Sequence, residues 1–73
     1  MSYHLTKKQI RKLKKQYYKN RGHRFVDRIR VVIALALGYQ VSDLALIFML
    51  DGDTIRRYFR LYKEGGINGL LEI

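Results

Sequence analysis

The stretch Val41 to Lys63, VSDLALIFMLDGDTIRRYFRLYK, decides the fold. One short apolar-periodic segment stops at the polar Asp51-Gly52-Asp53, and a second begins at once. Two helical patterns joined that tightly predict a helix-turn-helix over about 41–64. Ala45 falls where the two helices must approach closely, Leu50 sits in the turn, and Ile55 faces back toward the first helix ten residues after Ala45. The face left over carries Arg56, Arg57 and Arg60.

The same logic extends in both directions. Asp51 or Asp53 caps the second helix of the pair, whose Ile55, Tyr58, Phe59 and Tyr62 recur at i, i+3, i+4 and i+7 as an inward face, and Gly65-Gly66 ends it. Beyond, 65–73 reads as a tail in which Leu70 and Leu71 fold back or lead into a further segment. Before the turn, Ser42 is the expected N-cap of a helix from Asp43 to about Met49, with Asp43 at its positive end. Upstream, a helix from His23 or Arg24 to Leu37 carries Phe25, Ile29, Val32, Ile33 and Ala36 on one face, and Gly38 supplies a left-handed stop. Val31 to Leu37 is apolar nearly all round, which places this helix at the centre. A strand is the competing reading of VVIALAL; its alanines and the lack of a partner strand count against it. At the N-terminus, Thr6 and Gln9 have capping-box spacing with Leu5 as a staple toward Ile10, and Ile10, Leu13 and Tyr17 form one narrow stripe on an otherwise Lys/Arg-covered helix. The expected fold is all-α: a small trihelical, homeodomain-like bundle with an additional basic helix at its N-terminus.

At 73 residues the chain reads as a single domain, 1–73. A core of this size supplies only about 3–5 kcal/mol of stability. There are no cysteines, so neither disulfides nor thiolate zinc sites are available, and a cytoplasmic setting fits. His4 and His23 are isolated and form no zinc pair. Asp51 and Asp53 resemble the opening of a calcium loop, but Ile55 and Tyr62 stand where oxygen ligands are needed. No nucleophile–base arrangement and too few carboxylates for a two-metal centre argue against an enzyme, a cofactor or a small-molecule substrate. The longest apolar run falls well short of the roughly 20 residues that span a bilayer, and no signal peptide is read.

The net charge of +9 is unevenly placed. Residues 1–30 hold eleven Lys or Arg against Asp27 alone, a balance of +10, whereas residues 31–73 balance at −1. An anionic partner is therefore expected at the N-terminal portion as well as at the second helix of the pair. Combined with a helix-turn-helix, this predicts double-stranded DNA, with the helix from Thr54 to Lys63 in the major groove. Arg57, near the helix start and off the inward stripe, is the candidate for a bidentate contact to guanine O6 and N7. Arg56 and Arg60 reach base edges or flanking phosphates, and Asp53 can accept from cytosine N4. Candidate phosphate contacts are Ser42 with the amides around it, Thr54, Lys63, Lys7, Arg11, Arg24 and Arg28. Simple capping accounts equally for Ser42 and Thr54, and a solvated face for the lysines. Tyr17, Tyr58, Tyr62 and Phe59 have core spacing; Tyr18 and Tyr39 lie off the stripes and are freer for contact.

Read together, LTKKQIRKL, RIRVVIALALGYQVSDLALIF and DTIRRYFRLYKEGGINGLLE resemble the N-terminal DNA-binding region of transposases of the IS630 family, within the IS630/mariner group. The resemblance runs from Leu5 to about Glu72, and its most specific part is Tyr62-Lys63-Glu64-Gly65-Gly66-Ile67-Asn68-Gly69-Leu70. It implies a trihelical head that binds the inverted repeats at the ends of an insertion sequence. The RNase H-like domain with three acidic residues that follows in such transposases is not in this sequence, so the chain is expected to bind without cutting, as an excised domain or a truncated remnant, associated with the nucleoid. Two positions depart from the pattern: Met49 stands where the turn commonly has glycine, and Asp51-Gly52-Asp53 replaces a basic or polar helix start. Acidic groups there repel phosphates. The alternatives are a protein-interaction or homodimerisation domain, a small transcriptional regulator, and a membrane-surface N-terminal helix, for which Ile10, Leu13 and Tyr17 are too few to bury deeply.

Overall fold

The computed structural model describes residues 3–22 and 25–71, and among these every regular element is a helix: α1 (Lys7–Lys19), α2 (Val26–Ala36), α3 (Val41–Phe48) and α4 (Gly52–Leu71). They pack as a small all-α bundle in which α2 touches all three others and α3 also packs on α4. The all-round apolar character of its second half explains that central place. Ile29, Val31, Val32 and Leu35 of α2 are buried, while Phe25, Ile33 and Ala36 of the expected face are only half-buried. A helix with neighbours on several sides buries more than one stripe.

The start of α1 follows the capping box. The Gln9 amide donates to Thr6 Oγ1 at 3.1 Å, and the Thr6 amide donates to Gln9 Oε1 at 2.9 Å. Leu5 is buried, and Ile10 packs against the same core. Leu13 anchors the middle of α1 without any exposed surface. Asn20 closes the helix, its amide donating to the Gln16 carbonyl at 3.0 Å and its side-chain Nδ2 to the same oxygen at 2.8 Å.

Two helix starts differ from expectation. α2 begins at Val26, after Phe25, which makes no side-chain cap. α3 begins at Val41 with Gln40 as the cap residue in extended conformation, so Ser42 lies inside the first turn and is not the N-cap. Without a capping hydrogen bond, α3 is held by tertiary packing of Leu44 and by Asp43 in its first turn.

The stops are better specified. Gly38, at φ 103°, ends α2 in a Schellman arrangement: its amide donates to the Leu35 carbonyl and that of Tyr39 to the Ala34 carbonyl, both at 3.1 Å. Met49 ends α3 in the left-handed region, φ 57° and ψ 42°, and the Leu50 amide reaches back to the Ala45 carbonyl at 2.9 Å. That conformation is the one a glycine would adopt without strain.

Asp51, and not Asp53, caps α4: its Oδ1 accepts from the Thr54 amide at 2.7 Å. α4 then buries Ile55, Phe59 and Tyr62, with Tyr58 half-buried. Its axis breaks at Gly66, whose φ 64° and ψ −156° lie in a region open essentially only to glycine. The last turn folds back, and Leu70 is fully buried in the core. Gly69 makes the return possible, because a Cβ there would lie 3.0 Å from the Leu61 carbonyl oxygen. The Glu-Gly-Gly-x-x-Gly-Leu ending is thus a break, a close backbone approach and a plug.

Candidate functional site

On α4 the burial of Ile55, Phe59 and Tyr62 turns the opposite face outward, and Asp53, Arg56, Arg57, Arg60 and Lys63 all lie on it, exposed. Their spacing of three and four residues makes one stripe along the helix. The face is presented by the three-residue connection Met49 to Asp51 and by the packing of α4 on both α2 and α3.

The cations of this stripe are not equivalent. Arg56 Nη1 donates to Asp53 Oδ1 at 2.9 Å, so these two site residues engage one another first. The Arg56 guanidinium also lies back along the helix start, where a Cβ on Gly52 would sit 3.4 Å from its Nη1. The pair is exposed, with Asp53 at 97 %, and can exchange its partners cheaply. Arg57, Arg60 and Lys63, in contrast, make no hydrogen bond or ion pair among the described residues. Arg57 acts on Asp51 at longer range. The Asp51 carboxyl is held below its ordinary pKa of 3.8, mainly by the hydrogen bonds from Thr54, with the positive charge of Arg57 a lesser cause. Burial pushes the Tyr62 phenol up from its ordinary value.

Several residues expected at phosphates are occupied elsewhere. Thr54 is half-buried and serves the Asp51 cap with its amide and its side chain. Arg28 is engaged within the fold. Its Nη1 donates to the Leu70 carbonyl at 3.0 Å, and its guanidinium lies over the rings of Phe25 at 5.6 Å and Tyr58 at 5.2 Å. It fastens the returning C-terminal turn to α2 and α4. Only its distance in sequence from Leu70, 42 residues, kept this role out of view. Ser42 keeps an exposed hydroxyl in the first turn of α3. Arg24 lies outside the described residues.

Lys7 and Arg11 are exposed on α1. With Ile10, Lys14 and Leu37 they line a hollow between α1 and the end of α2, to which α4 contributes nothing. Lys12, further along α1, borders a different hollow beside Gly65, Gly66 and Asn68. The hollow at Lys7 and Arg11 is thus apart from α4, whereas Lys12 meets the C-terminal part of α4.

Among the described residues no group of three or more His, Cys, Asp or Glu side chains is placed to hold a metal ion. No helix there is long and apolar enough to cross a membrane. No protein-family model matches the chain, and no curated protein or solved structure is significantly similar to it.

Proposed function

We propose that the chain binds double-stranded DNA with α4 in the major groove, as the end-binding head of a transposase or a remnant of one, acting near the nucleoid and without catalysis of its own. The observation that carries this reading is the outward stripe of Arg57, Arg60 and Lys63, which make no hydrogen bond or ion pair among the described residues, on a helix braced across a short turn by α3. Arg57 is the residue assigned to guanine in this reading, supported by its position close to the start of α4 and by the pairing of Asp53 with Arg56 instead. Arg60 and Lys63 supply phosphate contact, and Arg56 joins when it leaves Asp53. Lys7 and Arg11 add nonspecific attraction from a second surface.

The test is fluorescence anisotropy of a labelled random-sequence duplex titrated at several salt concentrations. Counterion release gives a linear fall of log affinity with log salt. No binding at low salt, despite a net charge of +9, refutes the reading. Where binding is seen, a preferred site is selected from a random pool, and Arg57→Ala is expected to cost about 1–3 kcal/mol on that site and far less on random DNA.

A second reading, self-association, is favoured by one observation. α3 and its turn leave three apolar residues close in sequence open to solvent, Leu46 at 76 %, Ile47 at 62 % and Met49 at 84 % exposure. Sedimentation without DNA decides it. A mass that rises with concentration supports a homodimer, and a constant monomer mass removes it.

A further inference from the structure

The fold brings together two aromatic residues that belong to no core stripe. Tyr18, near the end of α1, and Tyr39, just after α2, line one hollow of about 330 Å³ together with Lys14, Arg30 and Leu37. Both rings are open to solvent, Tyr18 at 65 % and Tyr39 at 55 %. Tyr17 braces the Tyr18 ring edge-on, with centroids 5.2 Å apart at 77°. Phe48 presents its ring face to Arg30, whose guanidinium lies over it at 5.4 Å from the centroid.

The hollow does not stop there. Lys14 and Leu37 also line the neighbouring hollow of about 320 Å³ whose rim carries Lys7 and Arg11. No carboxylate lines either one. The acid that approaches is Asp27, 3.6 Å from Arg30 and itself exposed. The result is a groove with an apolar and aromatic floor and cations along its edge. Its charge calls for a polyanion, and its exposed rings call for flat partners that a duplex keeps stacked inside.

We propose that this groove binds single-stranded nucleic acid, with unpaired bases stacked on Tyr18 and Tyr39 and the strand's phosphates along Lys7, Arg11, Lys14 and Arg30. Exposed aromatic rings in a basic groove are the physical requirements for such a site, since every base has a π face and the backbone tracks the charge. No α4 residue lines the groove, so the site is distinct from the α4 duplex contact and shares with the proposed duplex binding only the nonspecific attraction of Lys7 and Arg11.

The experiment compares a labelled oligothymidine of about twelve nucleotides with an abasic strand of the same length and charge, by anisotropy at fixed salt. Stacking predicts that the base-bearing strand binds about 5- to 150-fold more tightly per stacked base. The double variant Tyr18→Ala/Tyr39→Ala is expected to lose that advantage while keeping its affinity for the abasic strand. Both side chains are exposed, so its helical circular dichroism should match the parent. An oligouridine strand separates RNA from DNA as the source of the bases; the tyrosine-dependent advantage is expected on at least one of the two. Arg57→Ala should leave oligothymidine binding unchanged. Equal binding of the abasic strand and both base-bearing strands, an undiminished preference in the double variant, or loss of binding in Arg57→Ala would each overturn the proposal.

Discussion

Replacing Met49 by glycine should stabilise the protein. Met49 holds φ 57° and ψ 42° at the turn between α3 and α4, a conformation that costs an L-residue about 1–2 kcal/mol. Glycine escapes that cost but loses about 0.5–1 kcal/mol more backbone entropy on folding. The side chain offsets little of the difference, because it is 84 % exposed and packs on nothing in the core. The net gain is about 0.5–1 kcal/mol, a sizeable share of the roughly 3–5 kcal/mol that a core of this size supplies. For a domain this small, that corresponds to a rise in Tm of about 2–8 °C. Thermal and urea unfolding followed by circular dichroism at 222 nm measure it, with Met49→Ala as the control that removes the side chain and keeps the strain. The reasoning fails if Met49→Gly is no more stable than the parent, or if Met49→Ala gains as much.

Three further outcomes follow from the same geometry. Leu70→Ala, at a site with no exposed surface, should cost about 2–5 kcal/mol, close to the whole stability, and so abolish a cooperative urea transition; an unchanged midpoint would mean the C-terminal turn is no part of the core. Arg28→Gln should lower stability by about 1–2 kcal/mol through the lost bond to the Leu70 carbonyl, while leaving the salt dependence of DNA binding intact; a salt slope smaller by about one would return Arg28 to the phosphates. The Asp51 carboxyl has a folded-state pKa below its ordinary 3.8, so its contribution is present above that value and lost as pH falls through the folded one. Asp51→Asn retains a capping oxygen that does not titrate, so any stability gap in favour of the parent at neutral pH should narrow on acidification below about pH 3.8, as read from paired urea melts; a gap that is independent of pH would remove the carboxylate from the account.

What the sequence determined by itself is whatever depends on residues a turn or two apart. The Thr6–Gln9 capping box, the stop at Gly38, the Asp51 cap and the inward stripe of Ile55, Phe59 and Tyr62, with Tyr58 half-buried beside them, are all set by bonds or periodicities that close within a few positions; the expected Asp-Gly-Asp turn shifts to Met49–Asp51, with Gly52 and Asp53 already inside α4. The outward stripe of α4 followed from the same periodicity. Helix starts without a side-chain cap are less legible: Gln40 begins α3 with no local hydrogen bond to announce it, and Ser42 falls inside the first turn.

Only the tertiary structure decided the contacts between distant segments. A charge pattern treats Arg28 like any other basic residue on a helix; its bond to Leu70 exists because Gly66 breaks α4 and Gly69 admits a close return past Leu61. Tyr18 and Tyr39 belong to different elements, and neither stripe counting nor composition puts them in one hollow. Local hydrogen bonds and helical periodicity are written in adjacent residues, whereas the closing of a bundle depends on which apolar faces fit together, and that sum is taken over the whole chain.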